Sequence, residues 1–167
     1  LVKNLQNKKS NILVGTSIGK NFDTSNQVAY KDYLLCLEKV YEFSDYIAVN
    51  ISSPNTENLR QLSTDNFLRT LLTKIKSKQD VLSYSFGYRP VFIKLSPDEE
   101  LDNLKDICNL ILELKLDGII CSNTTIDHSG KNGKGGLSGS PLKEKSSEKL
   151  RYIKNIVGDN ILLLHLV

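Results

Sequence analysis

Apolar positions along the chain switch repeatedly between short continuous runs and stripes of helical spacing. Ile12-Leu13-Val14 reads as a strand that runs into Gly15-Thr16-Ser17. Val28–Phe43 then carries Leu34, Leu37, Val40 and Tyr41 at the spacing of an amphipathic helix. Tyr46-Ile47-Ala48-Val49 is a second strand. Ser63 or Thr64 is placed to cap a helix striped by Phe67, Leu68, Leu71, Leu72 and Ile75. A loop is expected over Gln79–Pro90, followed by the strand Val91–Leu95. Pro97-Asp98 opens a helix with Leu101, Leu104, Cys108, Ile111 and Leu114 on one face. Asp117-Gly118 turns the chain into Ile119-Ile120-Cys121-Ser122, and a loop rich in Gly, Ser, Asn and Lys extends to about Leu142. The last helix points Leu150, Ile153 and Ile156 inward, stops at Gly158 and leads to the strand Ile161–Leu166.

Strand and helix thus alternate, and the strands are apolar on both faces, as in a parallel sheet covered by helices. Two architectures fit: a stretch of a (β/α)8 TIM barrel, or an open doubly wound sheet. The glycine-rich phosphate fingerprints of the second, GxGxxG and GxxxxGK[ST], do not follow the first strand, which favours the barrel. At 167 residues the chain suffices for one domain, residues 1–167, yet falls short of the ~200 residues a complete barrel needs. The fold expected is therefore α/β, a partial TIM barrel made of central strand–helix units.

The net charge of +3 is mild and its lysines are scattered, so no nucleic-acid partner is implied. Cys36, Cys108, Cys121, His128 and His165 show no ligand spacing, so no metal is expected. No targeting segment or transmembrane run is visible.

Chemistry gathers where strands end. Asn50-Ile51-Ser52-Ser53-Pro54-Asn55-Thr56 is almost wholly small and polar, and Pro54 stiffens the turn that carries the Ser53 hydroxyl. Lys94 lies inside an apolar strand, where it either snorkels at the sheet edge or faces an anionic or strongly polar group. Asn50, Asn55 and Asn123 are turn formers or, taken together, a lining for a flat ligand whose edge alternates carbonyl and N–H. Gly133–Gly139, GKGGLSG, reads by itself as a loop.

NISSPNT, FIKLSPD, DGIICSNTT and GGLSGSPL, with VGTSIGKN and YKDYLLCLEKVYEFSDYIAVN, resemble in order and spacing the dihydroorotate dehydrogenases of class 2, the quinone-linked type. The resemblance runs from about Ile12 to Gly158. It implies a (β/α)8 barrel with FMN at its C-terminal rim, oxidation of dihydroorotate to orotate in pyrimidine (UMP) biosynthesis, and a membrane quinone as electron acceptor. Position by position, it makes Ser53 the catalytic base, where relatives using soluble acceptors carry cysteine. Asn50 would touch FMN and substrate; Asn55, Asn123 and Thr124 would hold the substrate. Lys94 would lie against the N1/O2 edge of the flavin, and Ser17, Ser122 and Gly139 match further FMN positions. Thr56 is a hypothetical proton relay for Ser53.

Three departures accompany the resemblance. Ser17 stands where the bacterial pattern VNIGKN has asparagine. The family's amphipathic N-terminal helices, which face the membrane and quinone, have no counterpart before Ile12. ILLLHLV stands where the family has paired glycines and, beyond them, FMN-phosphate loops. These features lead to the expectation of a fragment or truncated reading frame, inactive or nearly so alone, whose relatives are peripheral proteins of the bacterial inner membrane. The alternatives are another FMN-dependent barrel oxidoreductase, including fumarate- or NAD-linked dihydroorotate dehydrogenases, or a non-catalytic remnant.

Overall fold

In the computed structural model, residues 1–7, 12–53, 66–128 and 135–167 are described. Among them, five strands form one parallel sheet in sequential order: β1 (Gly15–Ile18), β2 (Tyr46–Asn50), β3 (Val91–Leu95), β4 (Gly118–Cys121) and β5 (Leu162–His165). The helices are α1 (Val2–Gln6), α2 (Ala29–Val40), α3 (Asn66–Phe86), α4 (Leu101–Glu113) and α5 (Lys143–Val157).

A doubly wound sheet reverses its strand order once and carries helices on both faces. Here the order never reverses. One face packs Ile47, Val49, Ile93, Ile119 and Cys121 against Leu37, Leu71, Leu72, Ile107, Ile111 and Ile153 from the helices. The opposite face carries a small apolar cluster drawn from strands alone: Tyr46, Ala48, Phe92 and Ile120. This is a sector of a (β/α) barrel, and the second face is its interior.

Along that interior the register builds layers. Ser17, Ala48, Phe92, Gly118 and Leu162 stand side by side, and Asn50, Lys94, Ile120 and Leu164 form the next layer toward the strand ends. The Tyr46 and Phe92 rings meet edge to face at 5.6 Å. Both occupy space that glycines leave open. A Cβ on Gly15 would lie 1.9 Å from the Tyr46 ring, and one on Gly118 would lie 2.6 Å from Phe92 and 2.4 Å from the Leu162 carbonyl. The interior is thus aromatic at its base and, on β2 and β3, polar toward the rim.

Several boundaries differ from the sequence expectations. Ile12-Leu13-Val14 is not a strand: Ile12 and Leu13 are 70% and 77% exposed, and the Asp45 carboxylate takes the Val14 N–H at 2.7 Å, so pairing begins at Gly15. Gln79–Phe86 is not loop but the last part of α3. The stripe continues through buried Gln79 and Leu82, and a polar Gln79 concealed it from a reading based on apolar spacing. Leu101 is 47% exposed at the start of α4, and Ile107 fills the core instead. The suggested caps Ser63 and Thr64 lie outside the described residues.

Gln79 explains the N-terminal end of the sheet. Its amide donates to the Arg89 carbonyl and to Asp117 Oδ2, both at 2.9 Å. Asp117 Oδ2 also accepts the Val91 N–H at 2.7 Å, and Oδ1 accepts the Tyr88 hydroxyl. Asp117→Ala should leave one proton of the Gln79 amide and the Val91 N–H without their partner and cost roughly 3 kcal/mol. Urea unfolding should show a lower midpoint at unchanged slope. A loss below ~0.5 kcal/mol would mean that this carboxylate does not organise the sheet's base.

Candidate active site at the strand ends

The C-terminal ends of parallel barrel strands are where catalytic groups gather, because the loops beyond them converge there. Tyr33, fully buried on α2, donates its hydroxyl to the Asn50 carbonyl at 2.7 Å and so fixes the end of β2 from the helix side. Burial drives its phenol well above the ordinary tyrosine range, so it stays protonated and keeps donating. Sequence periodicity missed Tyr33, which reads there as another apolar position.

Asn50 and Lys94 are register partners on β2 and β3. The half-buried Lys94 ammonium makes no hydrogen bond or ion pair among the described residues, and burial lowers its pKa from the ordinary lysine value. An interior cation lacking a protein anion is a position suited to a ligand that brings charge or acceptors.

Around Asn50 the polar groups interlock. Its side-chain Oδ1 accepts the Ser52 N–H and one proton of the Asn123 amide, each at 3.2 Å. The Asn123 amide also reaches Ser52 Oγ at 3.2 Å, and the Ser52 hydroxyl donates to the Lys94 carbonyl at 2.8 Å. Asn123 Oδ1 accepts the Thr124 N–H at 2.9 Å, and the Asn123 N–H holds the Leu95 carbonyl at 2.8 Å. Ser122, buried, donates to the Asn123 carbonyl at 3.0 Å and lies 3.2 Å from the Ser146 hydroxyl on α5.

A cavity of about 230 Å³ opens here, lined by Lys94, Ser122, Asn123, Thr124, Ser138, Leu142, Leu166 and Val167. Four expected site residues therefore share one cavity, and Asn50 joins them through its bond to Asn123. Ser17 is exposed on the interior face, two strands from Lys94 and outside that lining. Ser53 is half-buried just beyond Ser52. Gly139, at φ 79° and ψ −151°, directly follows the lining residue Ser138; a side chain is strained at that positive φ. Asn55 and Thr56 lie outside the described residues.

A second residue unnoticed in the sequence is Asp98, which there only announced a helix. Its Oδ1 accepts Thr125 Oγ1 and Lys145 Nζ, both at 2.5 Å, and Oδ2 accepts the Ile126 N–H at 3.0 Å. One carboxylate thereby ties the loop bearing Asn123 and Thr124 to α5. No spacing rule connects positions so far apart in sequence.

Known proteins resemble this chain over nearly its whole length. The family model for dihydroorotate dehydrogenase matches residues 1–165. The "Dihydroorotate dehydrogenase (quinone)" of Aliivibrio fischeri is 44% identical over 96% of this chain and 50% of its own length. That of Buchnera aphidicola is 45% identical over 93% of this chain and 49% of its own. A crystal structure of DHODH from Eimeria tenella, in complex with ferulenol, superposes with a TM-score of 0.85 at 28% identity, covering 98% of this chain and 50% of that one. The chain spans about half the length of the curated relatives it matches.

Proposed function

Given that the chain belongs to the dihydroorotate dehydrogenase family, we propose that the protein to which this barrel sector contributes oxidises dihydroorotate to orotate with FMN and passes the electrons to a quinone. The observation that carries the reading is the donor pair at the rim. The Lys94 ammonium, unpaired among the described residues, stands in register with Asn50, above the aromatic floor, and lines one cavity with Asn123 and Thr124. A planar ligand whose edge carries carbonyls and gathers negative charge meets all of these groups at once, and an isoalloxazine ring is such a ligand. FMN, when bound, supplies the acceptor for the substrate's C6 hydride.

The remaining steps belong to the chain's own groups. Lys94, a donor in its protonated form, holds the acceptor edge of the ring and balances charge that accumulates there. Asn50 and the Asn123–Thr124 loop orient the substrate, whose carboxylate and urea-like edge need both donors and acceptors. Ser53 takes the C5 proton. A hydroxyl is a weak base near neutral pH, so it must hand that proton on, and Thr56 is the proposed partner. Ser17, Ser122 and Gly139 contribute cofactor contacts, and Asn55 a further substrate contact. Reduction of a quinone implies work at a membrane surface; among the described residues no helix is long and apolar enough to cross one.

The direct test is an FMN titration of the purified chain, followed by flavin fluorescence with and without orotate. Saturable quenching that tightens with orotate is expected. No saturable binding in either condition would overturn the reading for this chain.

A further inference from the structure

We infer that Ser52 is a positioning residue that locks the polarity of two carboxamides, so that Asn50 presents its NH2 group, and only that group, to whatever occupies the interior. A carboxamide alone can turn either end toward a ligand, and the two ends ask for opposite partners. Here the orientation follows from groups that cannot reverse. The Thr124 N–H can only donate, and it sits 2.9 Å from Asn123 Oδ1. The opposite end of the Asn123 amide is therefore NH2, with one proton on Asn50 Oδ1 and one on Ser52 Oγ, each at 3.2 Å. Having accepted from Asn123, Ser52 donates to the Lys94 carbonyl at 2.8 Å, a group that can only accept. The Ser52 N–H, again an obligate donor, closes on Asn50 Oδ1 at 3.2 Å. Asn50 Oδ1 thus faces two N–H donors; the Ser52 hydroxyl also lies 3.2 Å from it, but its one proton goes to the nearer Lys94 carbonyl at 2.8 Å. Asn50 Nδ2 has no hydrogen-bond partner among the described residues. Ser52 is completely buried, so water does not substitute for its hydroxyl.

The consequence is selectivity by sign. Asn50 and its register partner Lys94 form a donor-only pair, which accepts a ligand edge of carbonyl or anionic oxygen and nitrogen and rejects an N–H edge. The lock concerns the ligand-free protein and can be read there; its effect on binding rests on the flavin reading above. The test is solvent exchange of the side-chain amide protons of Asn50 and Asn123 by NMR in the 15N-labelled chain, with Ser52→Ala and the near-isosteric Ser52→Cys. Expected are slow exchange at Asn123, fast exchange at Asn50, and at least about tenfold acceleration at Asn123 in Ser52→Ala. Ser52→Cys, a weaker partner of similar volume, should fall between and serves if the alanine variant does not fold. Protection at Asn50 instead, or an Asn123 rate unmoved by either variant, overturns the lock. FMN dissociation constants extend the test: Ser52→Ala should weaken binding several-fold in the native background and not at all in Asn50→Ala. Equal losses in both backgrounds would show that Ser52 does not act through Asn50. Wild-type chain that binds no FMN would defeat the functional reading, while the exchange rates still decide the lock.

Discussion

Lys94→Met is expected to make the ligand-free chain more stable and its flavin binding much weaker. The two effects share one cause. Lys94 is a half-buried ammonium on the barrel interior, it pairs with nothing among the described residues, and burial lowers its pKa. Methionine has similar length and no desolvation cost. Because the side chain keeps part of its hydration, the gain is modest, about 1 kcal/mol, or a thermal midpoint about 2–4 °C higher. A bound flavin loses a charge-assisted contact worth roughly 2 kcal/mol, an affinity about thirtyfold lower by titration. The pH dependence has a definite sign. The folded-state pKa lies below the unfolded one, so in the interval between them the unfolded chain binds more protons. The wild-type destabilisation is therefore full below the folded pKa and is relieved as pH rises toward the unfolded value. Flavin binding goes the opposite way, weakening as pH rises through the folded pKa, and Lys94→Met should be insensitive over the same range. A variant that is less stable than wild type, or that binds FMN equally well, would contradict this account of Lys94.

Ser53→Ala should leave flavin and orotate binding within about threefold and slow the reduction of bound flavin by dihydroorotate about 100-fold or more, the range expected for a lost general base. Single-turnover bleaching under anaerobic conditions registers reaction on whatever fraction of the chain is loaded. A sulfur base has a lower pKa than a hydroxyl, so Ser53→Cys should retain more of the rate than alanine, with a steeper dependence on pH. If alanine reacts as fast as serine, the proton leaves by another route and Ser53 serves only the turn.

Much of this was legible in the sequence, for physical reasons that differ by element. β2, β3 and β4 announced themselves because parallel strands buried on both faces must be apolar throughout. Lys94 stood out for the same reason, as the exception in such a run. The order of polar clusters at strand ends located the rim before any coordinates did. What escaped was every feature that depends on a partner distant in sequence. Gln79 looks like a loop residue until Asp117 and the Arg89 carbonyl are brought to it. Tyr33 looks like filler until the Asn50 carbonyl is above it. Asp98 looks like the start of a helix until Thr125, Ile126 and Lys145 converge on it. The start of β1 was misplaced because Ile12 and Leu13 are apolar but exposed, and hydropathy cannot tell a buried run from one that lies on the surface. At Asn50 and Asn123 the sequence supplied the residue types but not the direction in which each amide points.

The aromatic base of the interior bears on how this scaffold tolerates change. Tyr46 and Phe92 fill volume that exists only because positions 15 and 118 lack a Cβ. Even alanine at Gly15 would have to displace the Tyr46 ring, and alanine at Gly118 both the Phe92 ring and the Leu162 carbonyl of the neighbouring strand. Mutational libraries should therefore tolerate almost nothing at Gly15 and Gly118, although both stand below the layer of Asn50 and Lys94. Diversity aimed at a new substrate belongs on the upper layer and its loops, where a side chain can change without moving the floor beneath it.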